Sequence, residues 1–316
     1  METNLTYGNW LEIYLKAYRQ NGIKKTSYRQ LELIRDKIPL QLRCTEITKI
    51  FPFVLQQFVN EFCLAASESY ANKMMNLIRS SFRKAYENDL VPRNPASDLK
   101  KPHRPKKIID CLTIKETEII LDFAKQYPYS DFAQSMHKRS RFLIAAAVIT
   151  LLWTGLRRGE LLGLEYDDVD LKSHVLHIRR GVFLENGKPV VIEGEAKTEA
   201  SIGDIALPDV VYRVIMTIPR VGEYIFGAEN GKLMYPRNFN RLYDSFLKAL
   251  QKQYPSFRHI TPHISRHTAA TLTLRSGADV RIVQKKLRHS SIYTTMRYTH
   301  PDIQDLIEAE KIILIS

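Results

Sequence analysis

The chain has 316 residues and carries 47 lysines and arginines against 34 aspartates and glutamates, which gives a formal net charge of +13. The basic excess is shared between the two halves, and this favours nucleic acid as a partner over a basic protein that binds no polyanion. The ordinary apolar and charged fractions exclude a disordered or fibrous chain, and three cysteines at no metal-ligand spacing argue against a disulfide framework or a zinc site.

The first hundred residues are predicted to be helical. Apolar residues recur at helical spacing from Trp10 to Tyr18 and again from Met74 to Tyr86. Pro92 and Pro95 then interrupt the pattern. We expect a helical domain over residues 1–99.

A basic, proline-rich segment follows over residues 100–108. Its prolines predict a stiff, exposed linker, which is either a solvated loop or a strand of chain that lies on DNA phosphates. The cations that would contact DNA in the second case are Lys100, Lys101, Arg104, Lys106 and Lys107.

A second domain is predicted over residues 109–316. Thr113 and Glu116 have the spacing of a capping box that opens a helix. The apolar run from Leu143 to Trp153 is too short to cross a bilayer and predicts a helix buried on all sides, ended by Gly155. Without a signal-peptide pattern either, the chain is expected to be a cytoplasmic protein that does not bind membranes.

The pattern changes to strands from Val175 to Pro208. Two segments rich in β-branched residues flank the turn signal ENGK at 185–188, and a third short strand is expected over 202–207. Helices resume at Asp209. The predicted fold class is therefore mainly α with a small antiparallel sheet, an α+β fold.

Basic and neutral donors are spread along the second domain. Arg157 lies in TGLRRGE, where Gly155 permits a sharp turn and Glu160 is placed to brace the arginine. Taken alone, this motif is more typical of a surface arginine in an ion pair.

The next cluster is PHISRH. Thr261 and Pro262 suit the start of a helix, which would place His263 and Arg266 on one face. His263 and His267 also have zinc-ligand spacing, but no third ligand is evident, so we expect no metal.

The last cluster is LRHSS, which contains His289, followed by the segment MRYTH, which contains Tyr298. A single tyrosine at helical spacing is more often a core residue than a nucleophile.

Taken together, TGLRRGE, HISRH, LRHSS and YTH closely resemble, in order and spacing, the signature of the tyrosine recombinase (phage integrase) family. The stretch SSFRKAYENDLVPRNP is similar to the end of the family's helical core-binding domain. The resemblance implies that Arg157 and Arg266 grip the scissile phosphate. It also implies that His263 and His289 belong to the active site and that Tyr298 is the nucleophile.

The family's catalytic lysine lies at a β-turn in a Lys-Thr context. Lys197 in AKTEAS matches that context, and Lys188 in the hairpin turn is its competitor. One departure is Arg288, where the family usually has glycine before the third-motif histidine. Arg288 could add a phosphate contact.

The implied chemistry is physically sound. Attack on a phosphodiester increases the negative charge on the phosphate oxygens in the transition state. Two guanidinium groups can each donate two hydrogen bonds to these oxygens and stabilise that charge better than lysines do. Nearby cations favour the phenolate, a histidine can take its proton, and Lys197 can protonate the leaving 5′-oxygen. The covalent 3′-phosphotyrosine conserves the bond energy. No cofactor is expected, since no nucleotide-binding glycine loop or acidic metal cluster is evident.

The resemblance also implies the assembly: a clamp of two domains around double-stranded DNA and a homo-tetramer on two DNA partners, at the nucleoid. Accessory DNA-bending or excisionase proteins are further expected partners. The tail from Ile303 to Ser316 ends in the apolar IILI, which predicts docking on a neighbouring protomer, with docking on its own domain as the alternative.

Many integrases carry an arm-site-binding domain ahead of the core-binding helices, which here are expected to start near residue 7. We therefore expect either a compact recombinase or a sequence that begins after such a domain. An integrase of a mobile element is favoured over a chromosome-dimer resolvase. The alternatives are a type IB topoisomerase-like nicking and closing enzyme and a DNA-binding regulator with an inactive catalytic fold.

Overall fold

Helices account for most of the chain in the computed structural model, which describes residues 5–20, 22, 25–102, 110–185, 187–193, 202–296 and 298. The chain divides into two compact units, residues 1–107 and residues 108–316. The mainly helical α+β fold is confirmed. Within the described residues, no helix is both long enough and apolar enough to span a bilayer.

The first unit is built from helices around one apolar core. Trp10 and Leu11 face inward from its first helix, and Tyr7 stacks on Phe82 with ring centroids 4.5 Å apart. The indole of Trp10 donates a hydrogen bond of 2.9 Å to the carbonyl of Ser81, so its polar edge is satisfied inside the core. The helices are α1 (Tyr7–Gln20), α2 (Lys25–Arg35), α3 (Leu40–Cys44), α4 (Pro52–Ala65) and α5 (Glu68–Glu87).

The second unit packs its helices around α7, whose buried residues form the centre of a second apolar core. The preceding helix α6 starts with the predicted capping box, in which Thr113 and Glu116 each bind the backbone of the other. The helices are α6 (Ile114–Gln126), α7 (Lys138–Thr154), α8 (Arg158–Leu162), α9 (Asp209–Met216), α10 (Pro236–Gln253), α11 (Pro262–Arg275), α12 (Val280–Leu287) and α13 (Ile292–Met296).

Helix α7 contains the long apolar run of the sequence. It is buried along almost its whole length, as predicted, except that Trp153 near its end is 44% exposed. Gly155 ends the helix with a φ of 68°, so the predicted left-handed stop is confirmed.

The strands form two small antiparallel sheets instead of one. They are β1 (Val169–Asp170), β2 (Val175–Ile178), β3 (Arg180–Glu185), β4 (Lys188–Glu193) and β5 (Gly203–Ala206). The first sheet has the order β1-β2-β5, and β3 pairs with β4 in the predicted hairpin, with Glu185 opposite Lys188.

The predicted strand from 175 to 184 is thus divided at Arg179. Arg179 and Arg180 both bind the buried carboxylate of Asp168, at 3.2 and 2.8 Å. A regular strand would send two successive side chains to opposite faces. The strand is interrupted where both must reach one carboxylate.

Candidate active site

Arg157 lies at the sharp turn between α7 and α8. It occupies the N-cap position of α8, two residues after the left-handed Gly155. A Cβ atom at Gly155 would lie only 2.7 Å from Leu287 Cδ2, so the turn also needs glycine for its close approach to α12. The side chain of Arg157 remains 44% exposed. The turn therefore fixes the backbone of Arg157, and its guanidinium stays accessible to solvent.

Glu160 binds the arginines of the site together. Its carboxylate is 8% exposed and accepts a hydrogen bond of 2.7 Å from the Arg157 side chain and another of 2.7 Å from the Arg157 backbone. It also accepts one of 2.5 Å from Arg288, and Arg266 lies at 4.0 Å. Burial disfavours the charged carboxylate, but the three guanidinium groups and the Arg157 amide outweigh it and lower the pKa of Glu160. Glu160 is therefore an ionised anchor for three cations.

Arg266 is held rigidly in the interior. Its side chain is 2% exposed and donates to the carbonyl of Gly155 at 2.6 Å and to the carbonyl of Leu287. Burial, followed by repulsion from Arg157, lowers the pKa of Arg266 to about 9, so the group stays charged at neutral pH. These contacts join α11 to the α7–α8 turn and to the end of α12.

Helix α11 supplies two histidines beside Arg266. Thr261 caps the helix and Pro262 occupies its first turn, as predicted. The rings of His263 and His267 lie 4.2 Å apart, and Nδ1 of His267 lies 2.6 Å from the hydroxyl oxygen of Tyr298. In the part of the chain that the structure describes, no group of three or more potential metal-ligating side chains could hold a metal ion.

His289 is a second histidine whose ring lies near that of Tyr298. The two rings are nearly parallel, with centroids 6.4 Å apart, and Nδ1 of His289 lies 2.9 Å from the Thr295 hydroxyl oxygen. Burial, then the charges of Arg266 and Arg157, lower the pKa of His289 to about 4. His289 is therefore a neutral imidazole at physiological pH.

Arg288 occupies the position where glycine was expected. Its backbone is left-handed, with a φ of 52°, so the backbone keeps the conformation that a glycine would adopt easily. Its side chain is 4% exposed and points to Glu160, with a further hydrogen bond of 3.1 Å to the Lys286 carbonyl. The structure thus places this predicted DNA-contacting arginine inside the unit, where Glu160 compensates its charge.

A cleft of about 700 Å³ opens beside these groups. Its walls come from α8, β3, α10 and the start of α11, and Arg157, His263 and Arg266 line it. Tyr243 on α10 contacts α11, since its hydroxyl lies 3.4 Å from the hydroxyl of Ser265. The site is therefore an open, cationic depression that suits a phosphate of a large substrate.

The lysines and arginines predicted for the linker and for the catalytic lysine do not line the cleft in the described part of the chain. Lys100 is exposed and its backbone is bound on both sides by the Gln56 amide, whereas the Lys101 ammonium lies 3.1 Å from Glu68. Lys188, the alternative to the catalytic lysine, is an exposed residue at the start of β4. Four predicted residues lie outside the described part of the chain: Lys197, Arg104, Lys106 and Lys107.

His267 has no expected role from the sequence except as a rejected metal ligand. The signal for it was present in the motif, because His267 follows Arg266 directly and lies one helical turn after His263. Its proximity to Tyr298, 31 residues away in the chain, could be seen only in three dimensions.

Comparisons with known proteins point to one family. Residues 111–305 match the phage integrase family. A tyrosine recombinase XerC of Thermodesulfovibrio yellowstonii is 27% identical over 268 residues, which cover 83% of this chain and 82% of the relative.

Solved structures show the same fold over nearly the full length. The Tn1549 transposon integrase in complex with a circular intermediate DNA superimposes with a TM-score of 0.79 at 18% identity, covering 98% of this chain and 99% of the other. A lambda integrase tetramer bound to a Holliday junction gives a TM-score of 0.65 at 17% identity, covering 94% and 78%. The family match covers most of the second unit. These findings together show that the chain belongs to the phage integrase family and is a tyrosine-type site-specific recombinase.

Proposed function

We propose that this recombinase cleaves and rejoins DNA through a 3′-phosphotyrosine bond to Tyr298. The observation that carries the proposal is the position of the Tyr298 hydroxyl, 2.6 Å from His267 on the helix that also bears Arg266 and His263. Tyr298 also interacts electrostatically with the buried Arg266. A nearby cation makes a phenol a better nucleophile, since it favours the phenolate.

In this proposal, Arg157 and Arg266 bind the nonbridging oxygens of the scissile phosphate. The rigid hold on Arg266 and the anchoring of Arg157 by Glu160 support this assignment, because donors that are already oriented need no reorganisation as charge develops. His263 and the neutral His289 donate hydrogen bonds to the same phosphate. Lys197 protonates the leaving 5′-oxygen, and the conserved bond energy makes rejoining independent of ATP.

The substrate is double-stranded DNA, and recombination takes place in a homo-tetramer. The net charge of +13 and the open cationic cleft support DNA binding, and the lambda integrase tetramer on a Holliday junction has the same catalytic fold. The basic linker, with Lys100, Lys101, Arg104, Lys106 and Lys107, adds phosphate contacts. Accessory DNA-bending or excisionase proteins set the direction of the reaction.

The carboxyl-terminal tail, residues 303–316, docks on a neighbouring protomer. An apolar groove on the second unit supports this assignment: Leu121, Leu152 and Leu272 line it together with Trp153, which is 44% exposed. The apolar end of the tail, Ile312 to Ile315, suits such a surface.

Deletion of residues 303–316 should therefore abolish recombination and largely spare DNA binding, because the catalytic cluster up to Tyr298 is kept. A gel-shift titration and a recombination assay on the same preparation measure the two properties. Recombination at the level of the full chain would refute the docking of the tail on a neighbour.

The reaction integrates or excises a mobile element. Support comes from the fold similarity to the Tn1549 transposon integrase, which extends over both units of this chain. The relatives reported above are recombinases and integrases, which favours strand exchange over the topoisomerase-like and regulatory alternatives.

Strand exchange between two DNA molecules that carry candidate attachment sites tests this function. We expect recombinant products with the wild-type chain, none with Tyr298→Phe, and no dependence on ATP. Relaxation of supercoiled DNA without any exchanged product would instead support the topoisomerase-like alternative.

A further inference from the structure

His267 lies directly beside the hydroxyl of Tyr298. Nδ1 of His267 lies 2.6 Å from the phenolic oxygen, the distance of a strong hydrogen bond. The two ring centroids are 5.3 Å apart and the planes are inclined by 49°, so the imidazole edge meets the hydroxyl. A proton can pass between these atoms without movement of either backbone.

The position of His267 is fixed by its neighbours on α11. Arg266, the preceding residue, is bound to the carbonyls of Gly155 and Leu287, and the ring of His263 packs edge-on against the His267 ring at 4.2 Å. Tyr298 itself packs against the apolar cluster of Ala270, Val283 and Leu287. Both partners of the short contact are therefore held by the core of the unit.

His289 is less well placed to take the same proton. Its ring lies nearly parallel to the Tyr298 ring with the centroids 6.4 Å apart, and its Nδ1 lies 2.9 Å from the Thr295 hydroxyl oxygen, so this nitrogen already has a partner. Burial and the neighbouring arginines also lower the pKa of His289 to about 4, which makes it a weak base.

We propose that His267 is a further catalytic residue, the general base that accepts the phenolic proton of Tyr298. This inference rests on the proposed function of Tyr298 as the nucleophile. For this role the neutral imidazole carries its hydrogen on Nε2, so that Nδ1 presents a lone pair to the hydroxyl.

The same proton moves in opposite directions during cleavage and rejoining. During cleavage, the Tyr298 O–H bond breaks and its proton moves to Nδ1 of His267 while the phenolic oxygen forms a bond to phosphorus. The bond from phosphorus to the 5′-oxygen breaks, and the electron pair leaves with that oxygen, which takes a proton from an acid, proposed above to be Lys197. During rejoining, a 5′-hydroxyl attacks phosphorus, and the imidazolium of His267 returns its proton to the departing phenolate.

The test is single-turnover cleavage of a nicked DNA site by His267→Ala and His267→Gln. Loss of a general base lowers such rates by about 10²–10⁴-fold. Glutamine is the second variant because it fills the space and can bond to the hydroxyl, yet it cannot take up a proton. His174→Gln is the matched control, since His174 is exposed on another part of the unit.

A fluorinated tyrosine at position 298 separates base catalysis from positioning. Its phenol is more acidic and needs less help to ionise, so it should restore a large part of the rate lost in His267→Gln. The acidic limb of the wild-type pH–rate profile should disappear in the same variant. A positioning role alone predicts no rescue and an unchanged profile.

Cleavage by both His267 variants at the wild-type rate would overturn the inference, and so would an equal defect with tyrosine and fluorinated tyrosine. In either case, the proposed function stands as long as Tyr298→Phe forms no covalent adduct. If Tyr298→Phe still forms the adduct, the proposed function fails together with the inference.

Discussion

At the residue scale, the site depends on one carboxylate that holds three arginines. Glu160 is ionised and buried, and it binds Arg157 and Arg288 directly while Arg266 stands at 4.0 Å. Arg288 and Arg266 share Oε2 of Glu160, at 2.5 and 4.0 Å. The departure from glycine at position 288 therefore adds a cation to the network without adding one to the surface.

Arg288 has a strained left-handed backbone, and its side chain makes a stabilising ion pair with Glu160. The left-handed φ of 52° costs an arginine or an alanine about 1 kcal/mol relative to glycine, whereas a buried ion pair that loses one partner costs about 3–5 kcal/mol. We expect Arg288→Ala to be less stable than Arg288→Gly by about 1 kcal/mol, and both to be less stable than the wild type. Urea unfolding of the three proteins measures the order.

Arg288→Lys is the control, because it keeps the charge and the backbone strain. It should lie between the wild type and the two truncated variants. An Arg288→Gly variant more stable than the wild type by about 1 kcal/mol would show that the contact with Glu160 contributes nothing, because only the backbone strain would then have been removed.

His289 gives the stability of the protein a predictable pH dependence. Its folded pKa of about 4 lies below the ordinary value of 6.5, so between these values the unfolded chain binds a proton that the folded chain does not. The contribution of His289 to stability is therefore complete above pH 6.5 and is lost progressively as the pH falls toward 4. The variant His289→Gln should show a flatter dependence of the unfolding free energy over this window.

The measurement is urea unfolding of wild type and His289→Gln at a series of pH values, with His174→Gln as the exposed-histidine control. Identical slopes for His289→Gln and the wild type would contradict the burial of a neutral imidazole at this position.

At the scale of elements, local chemistry predicted where helices begin and end better than it predicted the sheets. Thr113 with Glu116 and Thr261 with Pro262 mark helix starts through contacts within one turn, and the structure confirms both. The division of the long strand at Arg179 depends on Asp168, a partner buried 11 residues earlier, and no local pattern shows it.

For the candidate site too, the sequence predicted local motifs but not contacts between distant residues. The motifs around Arg157, Arg266 and Tyr298 could be read from sequence because their spacing is a family signature. The contact between Arg288 and Glu160 joins residues 128 positions apart, and the contact between His267 and Tyr298 joins residues 31 apart. Such pairs follow from the packing of α8, α11 and α12, which a single sequence does not specify.

The α7–α8 turn gives a test at this scale. Gly155→Ala meets two penalties, the positive φ of 68° and a contact of 2.7 Å with Leu287 Cδ2. Gly277→Ala meets only the first, since φ is 87° there and no neighbouring atom of the described residues lies within 4 Å of the added Cβ. We expect Gly277→Ala to cost about 1 kcal/mol of unfolding free energy, and Gly155→Ala about 1–3 kcal/mol more.

Thermal and urea unfolding of the two variants provide the comparison. DNA cleavage should fall in Gly155→Ala alone, because the carbonyl of Gly155 holds Arg266. Equal effects of the two substitutions on stability and cleavage would show that the turn tolerates a side chain.

At the scale of the whole molecule, both units are basic and each has its own core. The residues on either side of the segment 103–109 are bound to the unit in which they lie. Gln56 binds the backbone of Lys100 in the first unit, and Arg258 binds Asp110, the Cys111 carbonyl and Glu116 in the second. Each unit therefore holds its own end of this segment through its own side chains.

The central claim, that Tyr298 becomes covalently joined to DNA, has a direct measurement. The wild-type chain is incubated with a nicked attachment site that traps the cleaved strand, in the presence of EDTA, and the denaturation-resistant adduct is digested and mapped by mass spectrometry. The account predicts that the DNA phosphate is attached to the peptide that contains Tyr298 and that Tyr298→Phe forms no adduct. An adduct on any other residue, or an equal yield from Tyr298→Phe, would contradict it.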